Sequence, residues 1–128
     1  LKVFKNAWFG RFSRKENISA EALWEAVERA NNGQIDADLG CGVIKQRIAR
    51  PGESKSKGYR SIILFRKGKL SFFVYGFSKS EPGNIGADDE AQFKKSAKHV
   101  LSLTEAQLGE LVQNGQFEEV TKDAKKIS

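Results

Sequence analysis

Lys45 and Arg47 stand two residues apart, and Arg60 and Lys79 follow within the same basic stretch. Guanidinium groups bind phosphate through two parallel hydrogen bonds, and ammonium groups add point charges. A lysine crowded by other cations also gives up its proton more readily than a solitary one, so such a set combines phosphate binding with proton transfer. From Lys45 to Lys79 there are ten basic residues (Lys45, Arg47, Arg50, Lys55, Lys57, Arg60, Arg66, Lys67, Lys69 and Lys79) and one acid, Glu53. Of the net charge of +6, this stretch carries +9 and the remainder −3. A field so concentrated attracts a polyanion, most plausibly a nucleic-acid backbone.

Missing residues narrow the chemistry. The sequence has no HExxH, no Cys/His ligand set and no GxxxxGKS loop, and its single histidine, His99, is a poor candidate for a Ser-His-Asp trio. Neither a metal nor a cofactor is expected. RNA cleavage runs on the groups that remain, because the substrate brings its own nucleophile, the 2′-OH beside the scissile phosphate. The protein then holds that oxygen in line, stabilises the phosphorane charge and helps move protons.

The elements that must carry these residues are legible as an alternation. Val43–Ala49 places Ile44, Gln46 and Ile48 on one face of a strand and Lys45 and Arg47 on the other. Residues 50–58 read as a loop rich in Pro, Gly, Ser and Lys. Tyr59–Arg66 and Leu70–Phe77 form a hairpin around Lys67-Gly68-Lys69, apolar on both faces as helix-covered strands are. Around this centre, residues 1–4 read as a short edge strand, residues 6–15 as a helix, and Ser19 as the N-cap of a second helix closed by Asn31-Asn32-Gly33. Trp8, Phe9 and Phe12 are expected in the core. Asp36–Gly42 reads as a loop, its two acids being turn residues and Cys41 an inert thiol between glycines. A third helix begins near Asp88, a fourth follows the capping box Thr104/Gln107, and Phe117–Val120 adds a last short strand.

The 128 residues suit one domain, 1–128, with a helical extension from about residue 104. No apolar run approaches the roughly 20 residues of a membrane span, and Leu1-Lys2-Val3-Phe4-Lys5 lacks a signal-peptide core. With a lone cysteine, the expectation is a cytoplasmic protein without membrane contact.

The stretch Gly42–Ala49, the Gly-Tyr-Arg of Gly58-Tyr59-Arg60, and the ending Tyr75-Gly76-Phe77-Ser78-Lys79-Ser80-Glu81 resemble RelE/HigB toxins of bacterial type II toxin–antitoxin systems. The resemblance implies an α+β fold with helices packed on a small, mostly antiparallel sheet, the RelE-like (microbial ribonuclease-like) arrangement. It implies a toxin that acts as an endoribonuclease (mRNA interferase) on messenger RNA in the ribosome and inhibits translation. It also implies a cognate antitoxin, in HigB-like systems a helix-turn-helix, HigA-like protein. By position, Lys45, Arg47, Arg60 and Lys79 are the expected catalytic residues, Lys45 also for proton transfer. Arg50, Lys55, Lys57, Tyr59 and Phe77 are the expected RNA contacts. Some members carry an arginine at the position of Ser80 and a tyrosine near Asn84-Ile85, so the stacking group stays open among Tyr59, Tyr75 and Phe77. A ParE-like inhibitor of DNA gyrase and a non-cleaving RNA-binding relative remain the alternatives.

Overall fold

The computed structural model describes residues 1–49, 58–78 and 86–121. Along the chain run β1 (Lys2–Asn6), α1 (Ala7–Lys15), α2 (Ala20–Asn31), β2 (Ala37–Gly40), β3 (Val43–Ile48), β4 (Tyr59–Arg66), β5 (Leu70–Ser78), α3 (Ala87–Val100), α4 (Glu105–Gln113) and β6 (Phe117–Val120). The strands form one sheet in the order β2-β3-β4-β5-β1-β6, antiparallel except for the parallel pair β1/β5. The fold is α+β.

Helices cover both faces. Strand alternation sends Ile44, Ile48, Ile63 and Phe73 to one face, where they pack with Phe9 of α1 and Leu23, Ala26, Val27 and Ala30 of α2. Val43, Ile62, Leu64, Phe72 and Val74 go to the other, against Ala97 and Phe93 of α3 and Leu108 of α4. Each fully buried side chain of this size contributes about 1.5–3 kcal/mol. Local signals fix the helices that cover these faces. Ser19 Oγ accepts from the Ala22 N–H at 3.2 Å, and the Thr104/Gln107 capping box closes in both directions.

Two strand expectations need correction. β1 is no edge strand: it lies between β5 and β6, with Val3 and Phe4 buried on opposite faces and the Phe4 ring stacked on Phe72 at 5.0 Å. The expected loop 36–42 contains β2, paired with β3 through Ala37–Lys45 and Asp38–Ile44. It ends in a tight turn, Gly40-Cys41-Gly42, all three at positive φ.

One irregularity shapes the site. The β4/β5 register shifts between Ile62 and Ile63, so Ile62 faces Tyr75 whereas Ile63 faces Phe73. This β-bulge leaves Val74 and Tyr75 together on the α3 face and reverses the alternation beyond them. Gly76 consequently meets the rings of Phe9 and Phe12 on the α1 side, and Phe77 joins Arg60 on the other. Asn6 anchors α1 beside the bulge: its Oδ1 accepts from the Phe9 N–H at 2.7 Å and its Nδ2 donates to the Val74 carbonyl at 3.2 Å.

Candidate functional site

Lys45, Arg47 and Arg60 share the sheet face that carries α3, on the part of β3 and β4 distant from the β4/β5 turn. Arg47 and Arg60 are direct cross-strand partners, and Lys45 lies opposite Ile62, one step along the same face.

The edge of β3 explains how Arg47 is held. β2 pairs no further along β3 than Lys45, so the outward N–H and C=O of Arg47 need other partners. Asp36 Oδ2 accepts from the Arg47 N–H at 2.8 Å, and Arg29 Nη2 donates to the Arg47 carbonyl. Arg29 is itself fixed by Glu25 at 2.8 Å and Asp36 at 3.4 Å. Beneath them the fully buried Gln46 donates to Ala26 O and Gln34 O and accepts from the Asp36 N–H at 2.9 Å. α2 and the segment before β2 thus clamp β3 at Arg47.

The clamp has a geometric corollary. Because the N–H and C=O of Arg47 point away from β4, Arg47/Arg60 is a non-hydrogen-bonded pair, the closer of the two antiparallel arrangements, with Cα atoms about 4.5 Å apart. Like charges directly opposite each other are destabilising unless something neutralises them. Among the described residues no acid pairs with the side chain of either arginine. Arg60 Nη1 is buried and has no hydrogen-bond partner among them. A buried guanidinium N–H without an acceptor costs free energy that an incoming anion recovers. Two adjacent forks on one rigid face suit the oxygens of a single phosphate.

The other expected contacts separate. Tyr59, an expected RNA contact, is 2% exposed and on the opposite face, and its hydroxyl donates to Glu16 Oε1 at 2.9 Å. Strand alternation places it back to back with Arg60, out of reach of RNA on the arginine face. Phe77 lies opposite Arg60 but is largely buried. Arg66, Lys67 and Lys69 occupy the far end of the β4/β5 hairpin, about 20 Å from Arg60 at the usual strand rise. Arg50, Lys55, Lys57 and Lys79 lie outside the described residues. Sequence reasoning missed the clamp of Arg29 and Asp36, and no local signal joins a helix end to a strand edge across that distance. Trp8, expected in the core, is instead 37% exposed.

Residues 1–120 match the family described as RelE toxin of RelE / RelB toxin-antitoxin system. The chain belongs to this family. No curated protein matches it significantly. The protein is therefore the toxin component of a toxin–antitoxin system, and its family implies an antitoxin partner. Among the described residues of the toxin, no helix is long and apolar enough to cross a membrane, and no group of three His, Cys, Asp or Glu side chains is placed to hold a metal ion.

Proposed function

We propose that the toxin is an endoribonuclease that cuts messenger RNA on the ribosome and so arrests translation. The observation that carries this reading is the close cross-strand pair Arg47/Arg60, two guanidinium groups that no acid compensates among the described residues, one of them with a buried N–H unpartnered there. A surface evolved only for solubility has no reason to accept that electrostatic cost.

In the proposed reaction, Arg47 and Arg60 bind the non-bridging oxygens of the scissile phosphate. They hold the adjacent 2′-oxygen in line with the P–O5′ bond. The 2′-oxygen attacks phosphorus, its proton leaves to a base, and negative charge grows on the equatorial oxygens under the two arginines. Lys45, one step along the same face, serves proton transfer at the 2′- or 5′-oxygen. The P–O5′ bond then breaks and the leaving 5′-oxygen takes up a proton, balancing the one given up by the 2′-oxygen, to leave a 2′,3′-cyclic phosphate and a 5′-hydroxyl. Lys79 belongs to the proposed set on sequence grounds, with Lys55, Lys57 and Arg50 gripping the RNA backbone. The ribosome presents the message extended and accessible, and a HigA-like antitoxin of acidic character would neutralise the toxin by covering the arginine face.

The test uses purified toxin and ribosomes programmed with a defined message. Wild type is expected to give cyclic-phosphate and 5′-hydroxyl ends within the translated codons. Arg60→Ala should lower the cutting rate about 10²–10³-fold, the usual loss for one preorganised charge stabiliser. Undiminished cutting by Arg60→Ala contradicts the assignment. Loss of DNA supercoiling with intact messages assigns the toxin to gyrase instead.

A further inference from the structure

Among the described residues no strand lies beside β3 past Lys45, yet the outward polar groups of Arg47 are met by side chains. Water satisfies such groups on an exposed edge equally well, so bonding alone does not call for that arrangement. Asp36 Oδ2 takes the Arg47 N–H at 2.8 Å and also pairs with Arg29 Nη1 at 3.4 Å. Arg29 Nε donates to Glu25 at 2.8 Å, one helical turn back on α2, and Nη2 donates to the Arg47 carbonyl. All three guanidinium nitrogens are therefore engaged, on a side chain only 14% exposed. Because the fork is planar and rigid, fixing two of its nitrogens fixes the third. Together Asp36 and Arg29 act on Arg47 as the facing residue of a further strand would, but they are anchored to α2.

The residues behind the arginines are tied as well. Gln46 precedes Arg47, Ser61 follows Arg60, and the two are cross-strand partners, both fully buried. Ser61 Oγ donates to the Gln46 carbonyl at 2.9 Å, and the Gln46 amide bonds Ala26, Gln34 and Asp36. A buried network satisfied in this way admits one arrangement of its members.

Holding α2 in place does not require the polar clamp. Leu23, Ala26, Val27 and Ala30 already bury that helix against the sheet, and partly exposed ion pairs contribute about 0–1 kcal/mol. What the clamp adds is position. Like charges push Arg47 away from Arg60, at the point where β2 no longer supports β3. A group that stabilises charge on phosphorus must already be in place, and a misplacement of about 1 Å costs on the order of 10²-fold in rate.

We propose that Arg29 and Asp36 are positioning residues of the phosphate site. They hold the Arg47 backbone against Arg60, so that both guanidinium groups meet one phosphate. They act through Arg47 and touch no substrate. The effect on cutting rests on the ribonuclease reading; the effect on anion binding rests on the clamp geometry.

The test is a double-mutant cycle with two readouts. On programmed ribosomes at saturation, Asp36→Ala is expected to lower the single-turnover cutting rate about 10–100-fold. Half-saturation should stay within about threefold, because both arginine charges remain. Arg29→Met should resemble Asp36→Ala, whereas Asp36→Asn keeps an acceptor for the Arg47 N–H and should recover most of the loss. In an Arg47→Ala background, Asp36→Ala should change the rate less than about twofold, since no guanidinium is left to misplace. Losses that multiply in the double variant overturn the proposal, because Asp36 would then act through the fold at large. So does an undiminished rate in Asp36→Ala and Arg29→Met.

The second readout needs no cutting. Inorganic phosphate is titrated while the Nε–Hε resonances of Arg47 and Arg60 are followed by NMR. In wild type both should shift together, and in Asp36→Ala the Arg47 response should be lost while that of Arg60 persists. If wild type leaves messages intact but shows this dependence, the ribonuclease reading fails and the positioning role stands. Equal responses in wild type and Asp36→Ala, or none from either arginine, overturn the proposal.

Discussion

At the scale of single residues, the site is defined by an unfavourable contact. Arg47 and Arg60 face each other in the closer kind of antiparallel pair, and the clamp of Asp36 and Arg29 keeps Arg47 there. Since no acid among the described residues neutralises the pair, the proposed site costs the free toxin stability that a bound anion would restore. Arg47 is the exposed member, so replacing it removes charge with little loss of packing. Arg47→Gln is expected to raise unfolding stability by a few tenths of a kcal/mol, up to about 1 kcal/mol, while lowering RNA cutting at least 10²-fold. Urea denaturation and a cutting assay on the same preparations check both. A variant that is less stable as well as less active would mean that Arg47 is structural.

At the scale of elements, the bulge in β5 and the helix entering beside it are what place rings next to charges. Gly76 makes this possible, because a Cβ there would come within 2.6 Å of Phe12 Cε2 and 3.0 Å of Phe9 Cε2. Both rings are packed, so relief requires α1 to move. Gly76→Ala is expected to cost about 1–3 kcal/mol, measured by denaturant midpoint, and a cost below half a kcal/mol would show that α1 yields easily. The sequence carried β3, β4 and β5 to within a residue or two, because each has strict alternation or a double-faced apolar run between turn residues. It carried the shared face of Lys45 and Arg47 for the same reason. β1 was misplaced because Val3 and Phe4 are only two apolar residues between lysines, a pattern that an edge strand shares; its central position depends on Phe72, far along the chain. β2 was missed because its pairing, not its composition, makes it a strand. The bulge, the clamp and the exposure of Trp8 left no local signature, and the Gly-Tyr-Arg setting of Tyr59 does not reveal which face the ring takes.

At the scale of the whole molecule, the fold divides the described residues of the basic stretch between two regions. Arg47 and Arg60 hold the candidate site, whereas Arg66, Lys67 and Lys69 lie around the distant β4/β5 turn. No single phosphate touches both groups, so the turn contributes long-range attraction and secondary contacts to a large polyanion. The double substitution Lys67→Glu and Lys69→Glu is expected to weaken association with ribosomes and flatten its salt dependence. The cutting rate of the toxin once bound should stay within about threefold, since the charge stabilisation of the transition state is untouched. Binding at several salt concentrations, together with single-turnover cutting at saturating ribosomes, separates the two effects. A single-turnover rate reduced as far as in Arg60→Ala would place the turn in the reaction itself.

The central claim is that the Arg47/Arg60 face cuts translated messages. Its most direct test is induction of wild type and of Arg60→Ala in growing cells, with primer extension on an abundant message. Wild type is expected to give growth arrest with cuts inside translated codons, and Arg60→Ala neither at equal protein level. Arrest by wild type without cuts, or cuts that persist in Arg60→Ala, would contradict it.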